Sequence, residues 1–232
     1  MTPRRLGLLL PSSGTVQETD FHRRVPPEVT VHAARMYLPA TTEADEIRML
    51  DGHVLPAAGD LATIRPEVVV FSCTSAAALR GRAYEAGLCE EIGAIVQAPV
   101  VSTLQAVRAE LGRLGARSLA VVTPYPDDLT AALRAGLEAD GFAVRAAAGL
   151  GLRDSLAIAA VPPESIARFA VETFRRAPAD AVLVACCTFR GFDARDAIAR
   201  ALGAPVVTSN QAALAEALRV LGLDPPAGEA PR

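Results

Sequence analysis

The sequence predicts an α/β protein made of two pseudo-symmetric halves, each an open, parallel, Rossmann-like sheet covered by helices. Short β-branched runs alternate with longer Ala-, Leu-, Arg- and Glu-rich segments of helical period, which is typical of parallel sheets in α/β folds. Several strand-like segments occur twice at a constant spacing, which indicates a duplication. The chain has 232 residues, 51% of them hydrophobic, and can bury a large core. Ligands of such sheets bind at the carboxyl ends of the strands, so we expect the active site in the cleft between the halves.

Three pairs of segments carry the repeat. The first two pairs share one spacing, 124 − 11 = 113 and 186 − 73 = 113, and the third has a spacing of 204 − 98 = 106. The pairs are LGLLLP at 6–11 with LAVVTP at 119–124, VVFSCT at 69–74 with VLVACC at 182–187, and APVVS at 98–102 with APVVT at 204–208. The halves are therefore predicted at 1–114 and 115–209, with a C-terminal helix at 210–222 that packs back on the first half.

Strands are predicted where a short β-branched or apolar run is bounded by turn residues, and helices in the longer periodic segments between them. The strands are Leu6–Leu10, Val29–Tyr37, Val68–Cys73, Pro99–Ser102, Ser118–Thr123, Phe142–Ala147, Ala181–Cys186 and Pro205–Thr208. The helices are Glu43–Leu61, Ala76–Val96, Leu104–Leu114, Asp127–Asp140, Pro163–Arg176, Asp193–Leu202 and Gln211–Leu221. The proline-rich tail at 224–232 is predicted to be a frayed terminus.

Composition excludes several classes of protein. All 23 basic residues are arginine, so no lysine is present to form a Schiff base or to serve a phosphate loop. The net charge of −3 offers no basic surface, and neither nucleic acid nor a membrane is expected as a partner. The three histidines lack metal-ligand spacing and Gly149–Gly151 lacks the third glycine of a dinucleotide loop, so we expect no metal and no cofactor. The apolar run at 6–11 is too short for a signal peptide, which predicts a cytoplasmic protein.

Two of the four cysteines stand at equivalent positions of the repeat. Cys73 ends a predicted strand of the first half and Cys186 ends the matching strand of the second, each shortly before a helix. Backbone amides and the helix dipole at such a turn favour an anion and lower the pKa of a thiol. A cysteine is more commonly a small buried hydrophobe, and Cys89, within a helix, is interpreted in that way. The symmetric placement of Cys73 and Cys186 favours a chemical role for this pair.

Two thiols that face each other across a cleft can perform two kinds of cofactor-free chemistry. One thiolate can remove a proton from a carbon next to a carboxylate while the other thiol returns a proton on the opposite face, which is racemisation. Alternatively, a thiolate can add to an activated double bond, allow rotation and leave again, which is cis–trans isomerisation. Hydroxyl groups at the strand ends are suited to hold a carboxylate or an enediolate, although such residues also serve as helix caps. They are Ser12, Ser13, Thr15, Thr74, Ser75, Thr123, Tyr125, Thr188 and Ser209, followed by Asn210.

Five motifs add a resemblance to these observations. They are PSSGT at 11–15 followed by ETD at 18–20, SCTS at 72–75, TPY at 123–125, ACCTFR at 185–190 and VTSNQ at 207–211. Their order resembles the aspartate/glutamate racemase superfamily, and most closely its branch of maleate cis–trans isomerases, arylmalonate decarboxylases and ectoine-utilisation proteins. The resemblance runs nearly end to end. It implies two pseudo-symmetric α/β halves with the active site between them, as the repeat indicates independently.

The resemblance also implies roles for individual residues. Cys73 matches the first-half cysteine, which is the nucleophile of maleate isomerases, and Cys186 matches the second-half cysteine, with Arg190 four residues later as in the ectoine-utilisation proteins. The implied substrate-binding residues are Ser12, Ser13, Gly14, Thr74, Ser75, Tyr125, Cys187 and Thr188. Gly14 is a departure, because maleate isomerases usually have Asn there. Cys73 is a departure from the decarboxylases, which lack this cysteine.

We therefore expect a cofactor-independent isomerase or racemase of a small dicarboxylate, with maleate cis–trans isomerisation as the first choice. An aspartate/glutamate-type racemase and an arylmalonate-type decarboxylase are alternatives, and a non-catalytic carboxylate-binding or sensing module is an alternative of another class. The expected partner is a small carboxylate substrate, and a homo-oligomer is compatible with the sequence. Arg190 either clamps a carboxylate or faces solvent, whereas Glu18 and Asp20 are interpreted as helix caps in preference to substrate contacts.

Overall fold

The computed structural model describes residues 2–225, in which eight strands and ten helices follow one another. The strands are β1 (Arg4–Pro11), β2 (Val29–Met36), β3 (Val68–Phe71), β4 (Val100–Ser102), β5 (Ser118–Thr123), β6 (Ala143–Gly149), β7 (Ala181–Val184) and β8 (Val206–Thr208). The helices are α1 (Gln17–Arg24), α2 (Glu43–Gly52), α3 (Val54–Ala62), α4 (Thr74–Val96), α5 (Thr103–Arg113), α6 (Asp127–Ala139), α7 (Ser155–Ala160), α8 (Pro163–Arg176), α9 (Gly191–Leu202) and α10 (Ser209–Val220). The predicted frayed tail lies outside the described residues from position 226 onward.

The strands form two four-stranded sheets with the same order. The first sheet is β2-β1-β3-β4 and the second is β6-β5-β7-β8, and every pair of neighbouring strands is parallel. Strands β3 and β7 begin at Val68 and Ala181, and 181 − 68 = 113 is the spacing of the sequence repeat. The predicted α/β class with two pseudo-symmetric parallel sheets is thereby confirmed.

All eight predicted strands are present, whereas the helices differ from the prediction in four places. The predicted helix at 43–61 is two helices, because His53 leaves the helical conformation and Pro56 cannot donate a hydrogen bond back to the preceding turn. Helix α4 is kinked at Gly81, where φ is 77°. Helices α1 and α7 are missing from the predicted helices, since their eight and six residues are too few for a clear periodic pattern.

The core is formed around the central strands. The apolar side chains of β3, β5 and β7 are buried, as is the second half of β1, which is the pattern of parallel strands covered on both faces. Burial continues beyond the strand ends into polar residues, SCTS at 72–75 and CCT at 186–188. Polar groups at such positions need hydrogen-bond partners, so each of these turns must find buried polar contacts nearby.

The last helix of the chain contacts elements of both halves. Helix α10 packs against α5 and also contacts β3. Two ion pairs join α10 to α5, with Arg219 3.1 Å from Glu110 and Arg113 2.5 Å from Glu216. Among the described residues, no helix is both long enough and apolar enough to cross a bilayer.

Candidate active site

A small cavity lies between the carboxyl ends of the two sheets. Its lining comes from both halves and comprises Pro11, Leu38, Thr41, Glu46, Cys73, Thr74, Ser75, Tyr125, Ser155, Cys186, Cys187 and Thr188. The enclosed space is about 20 Å³, which is room for about one water molecule. The cavity is the place where the repeat brings its two cysteine turns together.

Cys73 occupies the turn between β3 and α4. It is the N-cap residue of α4, with extended backbone angles, and its side chain is buried. Its sulfur lies 3.8 Å from the hydroxyl of Ser75, which belongs to the first turn of the same helix. The thiol thus stands at the positive end of a helix dipole, as the position in the sequence predicts.

Cys186 occupies the equivalent turn after β7 and has an unusual backbone. Its φ is 118°, a region that non-glycine residues rarely adopt and that tends to occur at functional sites. This conformation lets the Thr188 N–H donate to the sulfur at 3.3 Å. Burial alone raises the pKa of a thiol, but hydrogen bonds from the Cys187 thiol, the Tyr125 hydroxyl and backbone N–H groups lower the pKa of Cys186 below its ordinary value. Cys186 is therefore suited to carry a thiolate.

Cys187 and Tyr125 are the donors beside this thiol. The hydrogen bond with Cys186, followed by burial, raises the pKa of Cys187 well above its ordinary value, and its sulfur lies 3.5 Å from the Ser72 carbonyl oxygen of the other half. Burial and the neighbouring Cys186 raise the pKa of Tyr125 well above its ordinary value. Both groups stay protonated at neutral pH, so each can donate a hydrogen bond to an anion.

Ser209, the first residue of α10, connects the two cysteine turns. Its hydroxyl oxygen accepts the N–H of Cys186 at 3.0 Å and lies 3.1 Å from the hydroxyl of Thr74. The next residue, Asn210, donates to the Cys187 carbonyl oxygen at 3.1 Å and to the buried carboxyl of Asp20 at 2.8 Å. The N-terminus of α10 therefore fixes the position of both turns.

Glu46 is a cavity residue that sequence reasoning missed. Only 1% of its surface is exposed, and one carboxyl oxygen accepts the Ser75 hydroxyl at 2.6 Å. Burial, opposed by the Ser75 hydrogen bond and assisted by the nearby Cys186 and Asp128, raises the pKa of Glu46 to about 8. In the sequence, Glu46 does not stand out from the other acidic residues in the first turn of α2. The available signal was its spacing, because Met49 and Leu50 place it on the buried face of α2.

The predicted substrate-binding residues divide into two groups. Thr74, Ser75, Tyr125, Cys187 and Thr188 line the cavity with the two cysteines. The other three lie beside the lining. Ser12 hydrogen-bonds the backbone N–H of Leu38 at 2.9 Å, Ser13 donates to Ser155 at 2.9 Å, and a Cβ on Gly14 would lie 3.2 Å from the Thr188 hydroxyl. Besides Glu46, the lining residues absent from the prediction are Pro11, Leu38, Thr41 and Ser155.

The charged residues whose roles the sequence left open lie outside the cavity lining, where other side chains hold them. Arg190 pairs with Asp193 at 3.2 Å, Glu18 pairs with Arg35 at 2.5 Å, and Asp20 pairs with Arg24 at 2.8 Å as well as with Asn210. No arginine or histidine is among the cavity-lining residues that the structure describes. Within residues 2–225, no cluster of three or more His, Cys, Asp or Glu side chains could hold a metal ion.

The arrangement therefore offers two buried thiols, one of them stabilised as a thiolate, together with hydroxyl, thiol and backbone donors. Such a site can bind an anion by hydrogen bonds alone and can add or remove a proton, or add sulfur, at a carbon atom next to a carboxylate. Cys89 lies apart from this site in α4, and burial, followed by the nearby Glu85, raises its pKa to about 12. That thiol therefore stays protonated at neutral pH.

Known proteins resemble this chain over nearly its whole length. A sequence model of the family described as arylmalonate decarboxylase matches residues 6–232. The maleate isomerase of Nocardia farcinica (strain IFM 10152) is 27% identical over 230 residues, covering 95% of this chain and 91% of the isomerase. A variant of the maleate isomerase Iso from Pseudomonas putida S16, solved with maleate, has a TM-score of 0.89 at 25% identity and covers 96% of this chain and 93% of its own. A Nocardia farcinica maleate cis–trans isomerase mutant with a covalently bound succinylcysteine intermediate has a TM-score of 0.87 at 25% identity, covering 95% and 93%.

These similarities confirm the fold and the superfamily branch that the five sequence motifs predict. The family model spans both halves and both cysteine turns. The chain belongs to the arylmalonate decarboxylase family.

Proposed function

We propose that this protein is a cofactor-independent cis–trans isomerase of the maleate isomerase type, in which Cys73 and Cys186 act together on a small unsaturated dicarboxylate. The observation that carries the proposal is that equivalent cysteines of the two halves line one cavity among hydrogen-bond donors. The relatives support the same chemistry, because a succinylcysteine is the product of thiol addition to maleate. Maleate is therefore the first substrate to test.

The first step joins Cys73 to the substrate. The thiolate of Cys186 takes the proton of the Cys73 thiol while the Cys73 sulfur adds to one alkene carbon. The electron pair of the double bond moves to the adjacent carbon and its carboxylate, forming an enediolate. The Cys186 thiol then protonates that carbon, which leaves a succinyl thioether on Cys73 and restores the Cys186 thiolate.

The second step releases the trans product. Rotation about the new single bond brings the carboxylates to opposite sides. The Cys186 thiolate removes the proton again, the electron pair re-forms the double bond, and the Cys73 sulfur leaves as a thiolate that takes the proton from Cys186. Protons and electrons balance over the cycle, so the reaction requires no external reductant, oxidant or base.

The remaining cavity residues serve to hold negative charge. Tyr125 and Cys187 stay protonated because their pKa values are raised. The hydroxyl of Thr74 is held by a hydrogen bond with the hydroxyl of Ser209, next to both cysteine turns. Donors fixed in this way stabilise an enediolate more than the planar substrate, because the charge on oxygen grows in that step. The tie of both turns to α10 keeps these donors in place.

Proton NMR in D₂O provides the direct test. We expect maleate to be converted to fumarate by the wild-type protein, and Cys73→Ser and Cys186→Ser to lower turnover by at least about a thousandfold, as removal of a nucleophile or its proton partner does. Cys89→Ser is the matched control, because that thiol lies in α4 outside the cavity lining, and it is expected to retain wild-type turnover.

Other outcomes would replace the proposal. Deuterium appearing at the α-carbon of aspartate or glutamate, without fumarate from maleate, would identify a racemase. Carbon dioxide release from a disubstituted malonate would identify a decarboxylase. Binding of carboxylates without any conversion would identify a sensing module. Wild-type turnover by a folded Cys73→Ser variant would show that the sulfur adduct is not formed on that residue.

A further inference from the structure

Glu46 brings a carboxyl group into the cavity with one oxygen unused. Its Oε1 accepts the hydroxyl of Ser75 at 2.6 Å. Its Oε2 is fully buried and has no hydrogen-bond partner among the described residues. Buried polar atoms are almost always paired, and an unpaired one inside a ligand cavity points to a contact with the ligand.

The surroundings of Glu46 disfavour a negative charge. The arginines near α2 pair with other acidic residues at the surface and not with Glu46. Arg48 pairs with Asp45, and Arg80 of α4 pairs with Asp51. The titratable groups that face Glu46 from the other elements are acids. They are Cys73 before α4, Tyr125 in the loop before α6, Asp128 in the first turn of α6, and Cys186 and Cys187 after β7. With no cation among the described lining residues, the neutral carboxylic acid is the favoured form.

The hydrogen bond from Ser75 determines where the proton of this acid resides. Because Ser75 donates to Oε1, that oxygen is the acceptor, and the acid proton is carried by Oε2. A neutral Glu46 therefore presents an O–H donor at the atom that lacks a partner. The hydroxyls of Thr41 and Ser155, 3.5 Å apart, lie in the same cavity and extend this polar side of it.

We propose that Glu46 is a substrate-binding residue that, as a carboxylic acid, donates its Oε2 proton to the second carboxylate of a dicarboxylate substrate. This inference rests on the proposed function and deepens it. Tyr125 and Cys187 hold the carboxylate next to the reacting carbon, and Glu46 holds the distal one without any cation. The site would then select substrates with two carboxylates and would lose them when Glu46 ionises, since two carboxylates repel each other at hydrogen-bond distance.

Binding of two non-reacting ligands by calorimetry tests this inference apart from turnover. Succinate has both carboxylates but no double bond, and propionate lacks the distal carboxylate. For the wild type we expect the affinity for succinate to fall about tenfold per pH unit above pH 8, as release of one proton requires, and the affinity for propionate to stay level. Glu46→Gln keeps an acceptor for Ser75 and a donor at the second position, so it should bind succinate within about threefold of wild type at pH 7, with no loss above pH 8. Glu46→Leu should bind succinate at least about tenfold more weakly and leave propionate unchanged.

Infrared spectroscopy gives a readout that a structural role would not move. The carbonyl band of a protonated carboxylic acid should be present in wild type at pH 7, absent in Glu46→Gln, and shifted when succinate binds. The inference is overturned if Glu46→Gln abolishes succinate binding at pH 7, if both proteins share one pH profile, or if wild type binds no dicarboxylate. If wild type fails to isomerise maleate but shows the expected binding profile, the proposed function fails while the role of Glu46 stands.

Discussion

The buried carboxyl of Glu46 makes the stability of the folded protein depend on pH in a defined direction. Its pKa is about 8 in the folded protein against 4.5 for an exposed glutamate. The folded chain therefore keeps a proton that the unfolded chain releases. A group whose folded pKa is raised contributes stability that is fully present below the unfolded pKa and is lost as pH rises through the folded value. We expect the free energy of unfolding to decrease between about pH 5 and pH 8 and to level off above that.

The magnitude follows from the two pKa values. Each pH unit between them removes about 1.4 kcal/mol, so the whole interval from 4.5 to about 8 removes about 5 kcal/mol. That is a large share of the stability of an ordinary domain, about 5–15 kcal/mol. Burial also raises the pKa of Asp20, which contributes in the same direction. The difference between wild type and Glu46→Gln isolates Glu46, because glutamine keeps the acceptor for Ser75 and does not titrate.

Urea denaturation of both proteins from pH 5 to pH 9 measures this difference. Relative to wild type, the free energy of unfolding of Glu46→Gln should increase steadily up to about pH 8, by several kcal/mol in total. The denaturant slopes of the two proteins should be equal. If the free energies of unfolding of the two proteins differ by the same amount at every pH in this range, Glu46 is ionised in the folded protein. That result would refute the reasoning from its burial.

Three further substitutions test individual buried contacts. Asn210→Ala removes the donor to buried Asp20 and should destabilise the protein by about 1.5–3 kcal/mol, seen as a lower melting temperature; an unchanged melting temperature would contradict it. Arg108→Met leaves the buried carboxylate of Glu85 without its ion pair and should cost about 3–5 kcal/mol in urea denaturation, and an unchanged free energy of unfolding would contradict this expectation. Gly149→Ala places a Cβ 2.2 Å from a backbone carbonyl oxygen of the cavity loop after β5, so it should destabilise by about 1–3 kcal/mol or more and lower maleate turnover; wild-type turnover would contradict the contact.

The sheets could be predicted because the sequence of each buried strand carries its own local signal. Buried parallel strands read as continuous β-branched runs, as VVVF in β3 and AVLV in β7 do. Helix boundaries depend on finer effects. The break at His53 comes from a proline three residues later, and the kink of α4 comes from Gly81, whose positive φ no hydrophobic pattern reveals.

The site could be predicted only where its residues stand at strand ends. Cys73 and Cys186 each belong to a motif that directly follows a recognisable strand. The topology of the two sheets therefore predicts that the two cysteines lie close together. Glu46 and Ser155 reach the cavity from helices α2 and α7. The spacing of Glu46 indicates only that it lies on the buried face of α2, and no motif beside either residue indicates the cavity. Arg190 could be interpreted either way from sequence, since its pairing with Asp193 depends on the turn that precedes α9.

The position of α10 has a consequence for the independence of the two repeats. The last helix of the chain packs on α5 of the first repeat, and its first residue, Ser209, touches the turns of both cysteines. A polypeptide ending at residue 114 would leave the α5 face uncovered and would lack the hydroxyl beside Thr74. We therefore expect a fragment of either repeat alone to be less stable than the whole chain, and separately produced fragments to regain activity only by reassociating. The two sheets have the same strand order, but the final helix crosses from the second repeat to the first and joins them through direct contacts.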